Sequence, residues 1–141
     1  LTVTDPGLGN DATPTISGNT DIPAGELVSI SITDADDETQ TFTSTVQPDG
    51  SFSADVPTAL AEGDYTVAVT ATDDAGNTIT INEDGTVDTT APTLSVTDPG
   101  LGNDATPTIS GNTDIPAGEL VTISVTDADN DTQTFTATVQ A

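Results

Sequence analysis

The chain is 141 residues long and carries 24 Asp and Glu with no Lys, Arg or His, a formal charge of −24. That balance excludes nucleic acid and anionic membrane surfaces as partners, since both demand cationic side chains to displace counterions. It favours solubility, repulsion between copies and attraction of cations. Cysteine is absent, so no disulfide or thiolate chemistry is available, and no apolar run approaches a membrane span, so no membrane insertion is expected.

With three Phe, one Tyr and no Trp, composition alone is that of a chain that stays unfolded. Residue pattern argues otherwise. A first short strand at 2–4 ends at Asp5-Pro6-Gly7, and Pro14 opens a second at 13–17. Pro23 to Gly25 precede a third at 27–33, where Val28, Ile30 and Ile32 alternate with Ser29 and Ser31. In a fourth at 39–47, Phe42, Ser44 and Val46 alternate with Thr41, Thr43 and Thr45. Pro48-Asp49-Gly50 reads as a hairpin turn, Pro presetting φ and Gly accepting a positive one, and a fifth strand follows at 51–55. Thr58 to Gly63 is the only stretch that suits a short helix. Tyr65, Val67, Val69 and Ala71 mark a sixth strand at 64–72, Asp73 to Asn77 a hairpin, and Ile79 and Ile81 a seventh at 78–82. Period-two alternation is the signature of half-buried strands. The many Thr residues are read as β-formers distributed over both faces, with no hydroxyl ladder along one surface.

Residues Leu1 to Pro48 return as Leu94 to Ala141, an offset of 93 residues. Only seven of the 48 aligned positions differ: Thr2/Ser95, Ser29/Thr122, Ile32/Val125, Asp37/Asn130, Glu38/Asp131, Ser44/Ala137 and Pro48/Ala141. A fixed period makes one repeat the structural unit. The expected organisation is a complete repeat at 1–87, a linker at 88–93 and the first four strands of a second repeat at 94–141. The chain therefore reads as a stretch of a longer repeating protein. Seven short antiparallel strands in some 90 residues form a two-sheet sandwich. Leu60-Ala61-Glu62-Gly63-Asp64-Tyr65 fits the tyrosine corner of immunoglobulin-type sandwiches, whose phenol bonds upstream backbone; the plainer alternative is a lone core Tyr. The fold class is all-β: seven-stranded antiparallel Ig-like β-sandwich repeats in tandem.

Three segments carry a family resemblance: Val87-Asp88-Thr89-Thr90-Ala91-Pro92-Thr93-Leu94, Thr13-Pro14-Thr15-Ile16-Ser17-Gly18, and Gly63-Asp64-Tyr65-Thr66-Val67-Ala68-Val69-Thr70-Ala71-Thr72-Asp73. They resemble the bacterial Ig-like domains of long tandem arrays, in particular the extender regions of giant calcium-dependent adhesins of the repeats-in-toxin class. The resemblance implies a secreted or bacterial cell-surface stalk whose partners are neighbouring repeats of the same chain. It also implies calcium (Ca2+) held near domain junctions.

Carboxylates collect in the loops. Asp5 and Asp11 recur as Asp98 and Asp104; Asp34, Asp36 and Asp37 lead a cluster that recurs around Asp127, Asp129 and Asp131. Asp73 and Asp74 lie in the last hairpin and Asp88 in the linker. Calcium takes six to eight oxygens at about 2.3–2.6 Å, and clustered acids with no cationic neighbour suit it. The competing reading is that these are solvated turn residues, which Asp favours for local hydrogen bonding. Asp127-x-Asp129-x-Asp131 is not an EF-hand, because Thr132 and Thr138 stand where Gly and a bidentate Glu are required.

Catalysis lacks His, Cys or Lys as base or nucleophile, and no enzyme is expected. The expected function is a structural extender rigidified by calcium. The alternatives are a carbohydrate- or protein-binding module, or a subunit of an extracellular fibre of identical chains completed by strand exchange.

Overall fold

Alternating β-branched and polar residues drive every regular segment into strands, and no helix forms, including at 58–63. The computed structural model describes residues 1–141, which divide into two units, Leu1–Thr90 and Ala91–Ala141.

Unit 1 holds eight strands: β1 (Thr2–Val3), β2 (Gly7–Gly9), β3 (Thr15–Asn19), β4 (Leu27–Thr33), β5 (Thr39–Thr45), β6 (Ser51–Asp55), β7 (Gly63–Thr72) and β8 (Thr78–Val87). They form two sheets, ordered β1-β3-β6 and β2-β8-β7-β4-β5. All pairings are antiparallel except β2 with β8, which runs parallel in the register Gly7↔Gly85, Leu8↔Thr86, Gly9↔Val87. The core between the sheets is aliphatic: Ile16 and Phe52 from the smaller sheet meet Val28, Ile30, Ile32, Val67, Val69 and Val87 from the larger. Full burial of each such side chain contributes about 1.5–3 kcal/mol, which is how a chain with four aromatic residues still builds a core.

Four details depart from the sequence reading. The expected first strand is two, because the chain crosses between sheets at Asp5–Pro6 and Gly7 takes φ +61°, a conformation glycine adopts without steric cost. The seventh strand runs five residues further, to Val87, held on one side by β7 and on the other by β2. The Pro48–Gly50 turn forms, with Gly50 N–H on the Gln47 carbonyl at 2.9 Å, yet the strands it joins part into opposite sheets. Finally, Thr39, Thr41, Thr43 and Thr45 all project to solvent from β5 and do form a hydroxyl ladder, Thr33 pairing Thr39 at 2.8 Å.

Unit 2 holds β9 (Leu94–Val96), β10 (Gly111–Thr113), β11 (Leu120–Thr126) and β12 (Thr132–Thr138). They form two separate pairs, β9 with β10 and β11 with β12, in the registers of their unit 1 counterparts: Val96↔Gly111 repeats Val3↔Gly18, and Ile123↔Phe135 repeats Ile30↔Phe42. No residue of this unit is buried.

Candidate functional site

The parallel partnership of β2 and β8 gives unit 1 a polarity. The chain starts at one pole, which also carries the β7–β8 turn, and leaves from the opposite, distal pole, where β8 ends beside Gly9. The distal pole gathers the β4–β5 turn, the 56–62 loop and residues 88–90. Leu60 N–H meets the Ala12 carbonyl at 2.8 Å and Asp88 N–H the Gly9 carbonyl at 2.9 Å.

Asp34 organises this pole. Its Oδ1 accepts the Asp36 and Glu38 N–H groups, each at 3.0 Å, and its Oδ2 accepts the Ala61 N–H at 3.0 Å. The Ala61 contact foremost, supported by Glu38 and Asp36, holds the carboxyl below the ordinary Asp value. The turn closes through Asp37 at φ +62°; its copy in unit 2 puts Asn130 at φ +63°, and Asp and Asn are the side-chain-bearing residues most tolerant of this region. Asp127 repeats the motif, accepting Asp129 N–H at 2.9 Å and Asp131 N–H at 3.0 Å.

The other predicted ligands behave alike. Asp5 accepts Gly7 N–H and Asp98 accepts Gly100 N–H. Asp11 and Asp104 each take the N–H and hydroxyl of the Thr two residues on. Asp88 accepts Thr90 N–H at 3.1 Å. Asp73, at the opposite pole, takes Ala75 and Asn77 N–H on Oδ1 and the Asn77 amide on Oδ2; the Asn77 side chain is the main cause of its lowered pKa. Asp36, Asp37, Asp74, Asp129 and Asp131 are exposed. Nowhere do three or more of these side chains converge into a group able to hold a metal ion. The carboxylates serve as acceptors for backbone N–H groups of their own turns, as Asx turns do.

Two features escaped sequence reasoning. Asp34 and Asp37 share an open hollow with Asp64 and Asp84, beside Tyr65. Strand alternation places Asp64 outward, but Asp84 lies beyond the expected end of its strand. Tyr65 is 4% exposed, and its hydroxyl does not form the upstream backbone bond of a tyrosine corner. Its ring instead crosses Gly85 on β8, so closely that a Cβ there would meet Cζ and the hydroxyl. Burial foremost, then Asp5 and Asp11, raises the phenol above its ordinary 10.0.

The second feature is Glu62, whose carboxylate accepts the Thr89 hydroxyl at 2.8 Å and the Thr90 hydroxyl more closely still. These bonds, that from Thr90 first, hold its pKa below the usual Glu value. They tie the departing chain to the 56–62 loop. The arrangement fixes loops and chain direction and presents no nucleophile paired with a base.

Comparison with known proteins follows the same line. Residues 3–89 match the family described as bacterial Ig-like domain. Among solved structures, the chain is similar to the tetra-tandem repeat in the extending region of a large adhesion protein, at 36% identity and a TM-score of 0.52. That match covers 94% of this chain and 36% of the other, so the chain spans about a third of its length. It is also similar to CopC from Methylosinus trichosporium OB3b, at 19% identity and a TM-score of 0.48, over 60% of this chain and 85% of that one, a likeness too distant to bear on function. No curated protein matches.

Proposed function

The chain belongs to the bacterial Ig-like domain family, and from that premise we propose that it is an extender segment of a bacterial surface adhesin, a non-catalytic stalk whose partners are neighbouring repeats of the same chain. The observation that carries this reading is the parallel pairing of β2 with β8. A repeat that begins and ends at opposite poles adds its whole length to an array. A repeat with both termini at one pole would add little. Similarity to the extending region of a large adhesion protein supports the same reading. The tie from Glu62 to Thr89 and Thr90 holds the departing chain against the repeat it leaves.

Calcium enters this proposal in a restricted form. An ion that stiffens the stalk would draw oxygens from two successive repeats, with Asp11, Asp36, Asp37 and Asp88 supplying those of the distal pole.

Small-angle scattering from proteins of two and four complete repeats tests the stalk. A ten-residue strand spans about 33 Å, so the maximum dimension should grow linearly by somewhat more than that with each repeat. Growth that follows the square root of repeat number would describe a flexible chain and defeat the proposal.

A further inference from the structure

A β-sandwich has to blunt the unpaired edges of its sheets, and unit 1 does so, by shortness or by a stitch, at all but one. β1 and β2 are edges of two and three residues. β5 and β6 face each other across the seam between the sheets, where Ser44 joins them. Its hydroxyl donates to the Ser53 carbonyl at 2.9 Å and accepts the Ser53 N–H at 3.1 Å, and the side chain is itself buried. The exception is β8. It pairs with β7 over its whole length but with β2 only at Gly85–Val87, so Thr78–Asp84 is bonded on one side alone.

The direction of the free main-chain groups follows from the neighbours. Asp88 N–H reaches the Gly9 carbonyl at the end of β2, and successive residues of a strand point to opposite sides, so the even-numbered residues of β8 turn their N–H and C=O groups away from β7. Those of Thr78, Thr80, Asn82 and Asp84 project from the free edge and meet no backbone partner. The opening belongs to the complete repeat, because the chain runs in the smaller sheet as β1 and joins the larger one only after Asp5–Pro6. In the copy, the residue before the first strand keeps to β10, the counterpart of β3: the Thr93 carbonyl accepts the Thr113 hydroxyl at 2.7 Å. Along the edge Ile79 is 49% exposed and Ile81 half-buried on the inner face, where Glu83 follows them, while Asp84 lies exposed on the outer face.

We infer that Thr78–Asp84 is a docking edge for an extended cationic peptide of another protein, one that alternates apolar side chains with Lys or Arg. Such a segment adds a strand to the larger sheet by main-chain pairing with the four outward residues. Its apolar side chains lie beside Ile79 and Ile81, and its cations beside Asp84 on the outer face and Glu83 at the end of the inner one. Charge chooses this occupant over a second copy of the chain. A copy would bring 24 carboxylates and no cationic side chain to the same edge, and like charges on adjacent strands oppose pairing, whereas a basic strand is drawn in. The edge and its charge are properties of a single repeat, so the inference stands apart from the extender role.

Hydrogen exchange followed by NMR on the full 141-residue chain, titrated with a synthetic peptide of alternating Val and Lys, reads this edge amide by amide. The expected result is saturable protection of the Thr78, Thr80, Asn82 and Asp84 N–H groups. Asn82→Pro removes one outward donor and leaves the bonds to β7 in place, since proline is tolerated at a sheet edge. It should raise the half-saturating peptide concentration at Thr80 and Asp84 by about tenfold, the worth of one main-chain bond, with Tyr65 fluorescence in urea reporting that the variant is folded. A second arm needs no variant: on the unaltered chain, the same peptide methylated at successive backbone nitrogens keeps its charge and should protect none of the four amides. Equal protection by the methylated peptide, or an undiminished response in folded Asn82→Pro, would mean attraction of charge alone and overturn the inference. So would absence of protection at these amides with the parent peptide, or their protection by self-association of the chain before any peptide is added.

Discussion

The near-identity of the two first halves supplies an internal control for core energetics. Ile30 and Ile123 have the same neighbours in sequence and the same cross-strand partner type, Phe42 and Phe135, yet Ile30 is fully buried and Ile123 only half-buried in an open cleft. Truncating a buried Ile to Ala costs about 2–5 kcal/mol from lost transfer energy and the residual cavity. In a unit of this size each kcal/mol lowers Tm by about 4–8 °C, so Ile30→Ala should lower that of unit 1 by about 8–40 °C. Ile123→Ala should leave unit 1 unchanged. Urea unfolding followed by tyrosine fluorescence reads unit 1 alone, because Tyr65 is the only Tyr and the chain has no Trp. The midpoint should fall for Ile30→Ala with an unchanged m-value. A loss under about 1 kcal/mol for Ile30→Ala, set against the cavity cost, would refute the core assignment, as would an equal loss for Ile123→Ala.

Other perturbations test other contacts. Gly85→Ala places a Cβ against the Tyr65 ring and should cost about 1–3 kcal/mol; combined with Tyr65→Ala, the two losses should sum to less than their separate values, since the clash is removed. Tyr65, its pKa raised chiefly by burial, binds its proton more tightly folded than unfolded. Its contribution is intact below the ordinary 10.0 and drains as pH rises through the folded value, so alkaline stability should decline in the parent and less so in Tyr65→Phe. Asp34, Asp49, Glu62 and Asp73 run the other way: their folded-state values lie below the ordinary 3.8 for Asp and 4.5 for Glu. What they contribute is present above those values and is lost as pH falls through the folded ones, which an acid titration of the urea midpoint reads. In a protein of two complete repeats, calcium at a hundredfold excess over its Kd should add about 2.7 kcal/mol; identical melting curves with and without chelator would remove calcium from the junction.

The strands that were legible in the sequence are those whose two faces differ. Val28-Ser29-Ile30-Ser31-Ile32 and Tyr65 to Ala71 alternate cleanly because one side meets the core and the other meets water, and both lie where alternation puts them. β2 and the last half of β8 were not legible: Gly7-Leu8-Gly9 and Asn82-Glu83-Asp84-Gly85 have no apolar alternation, and only their pairing with each other and with β7 makes them strands. The acidic turns are legible as clusters, and the hydrogen bonds within them are not. Whether an Asp reaches outward to an ion or back to its own N–H groups depends on turn geometry, such as the positive φ of Asp37, that composition does not encode. Glu62 left no local signal, since its partners Thr89 and Thr90 are far along the chain.

The side-by-side parallel course of β2 and β8 also governs how a repeat answers tension. A pull on its two ends drags these strands past one another lengthwise, so the hydrogen bonds between them share the load and must fail together. An antiparallel pair tugged open from its free ends would peel apart one bond after another. The same three register pairs that set the direction of the chain therefore make each repeat a shear joint.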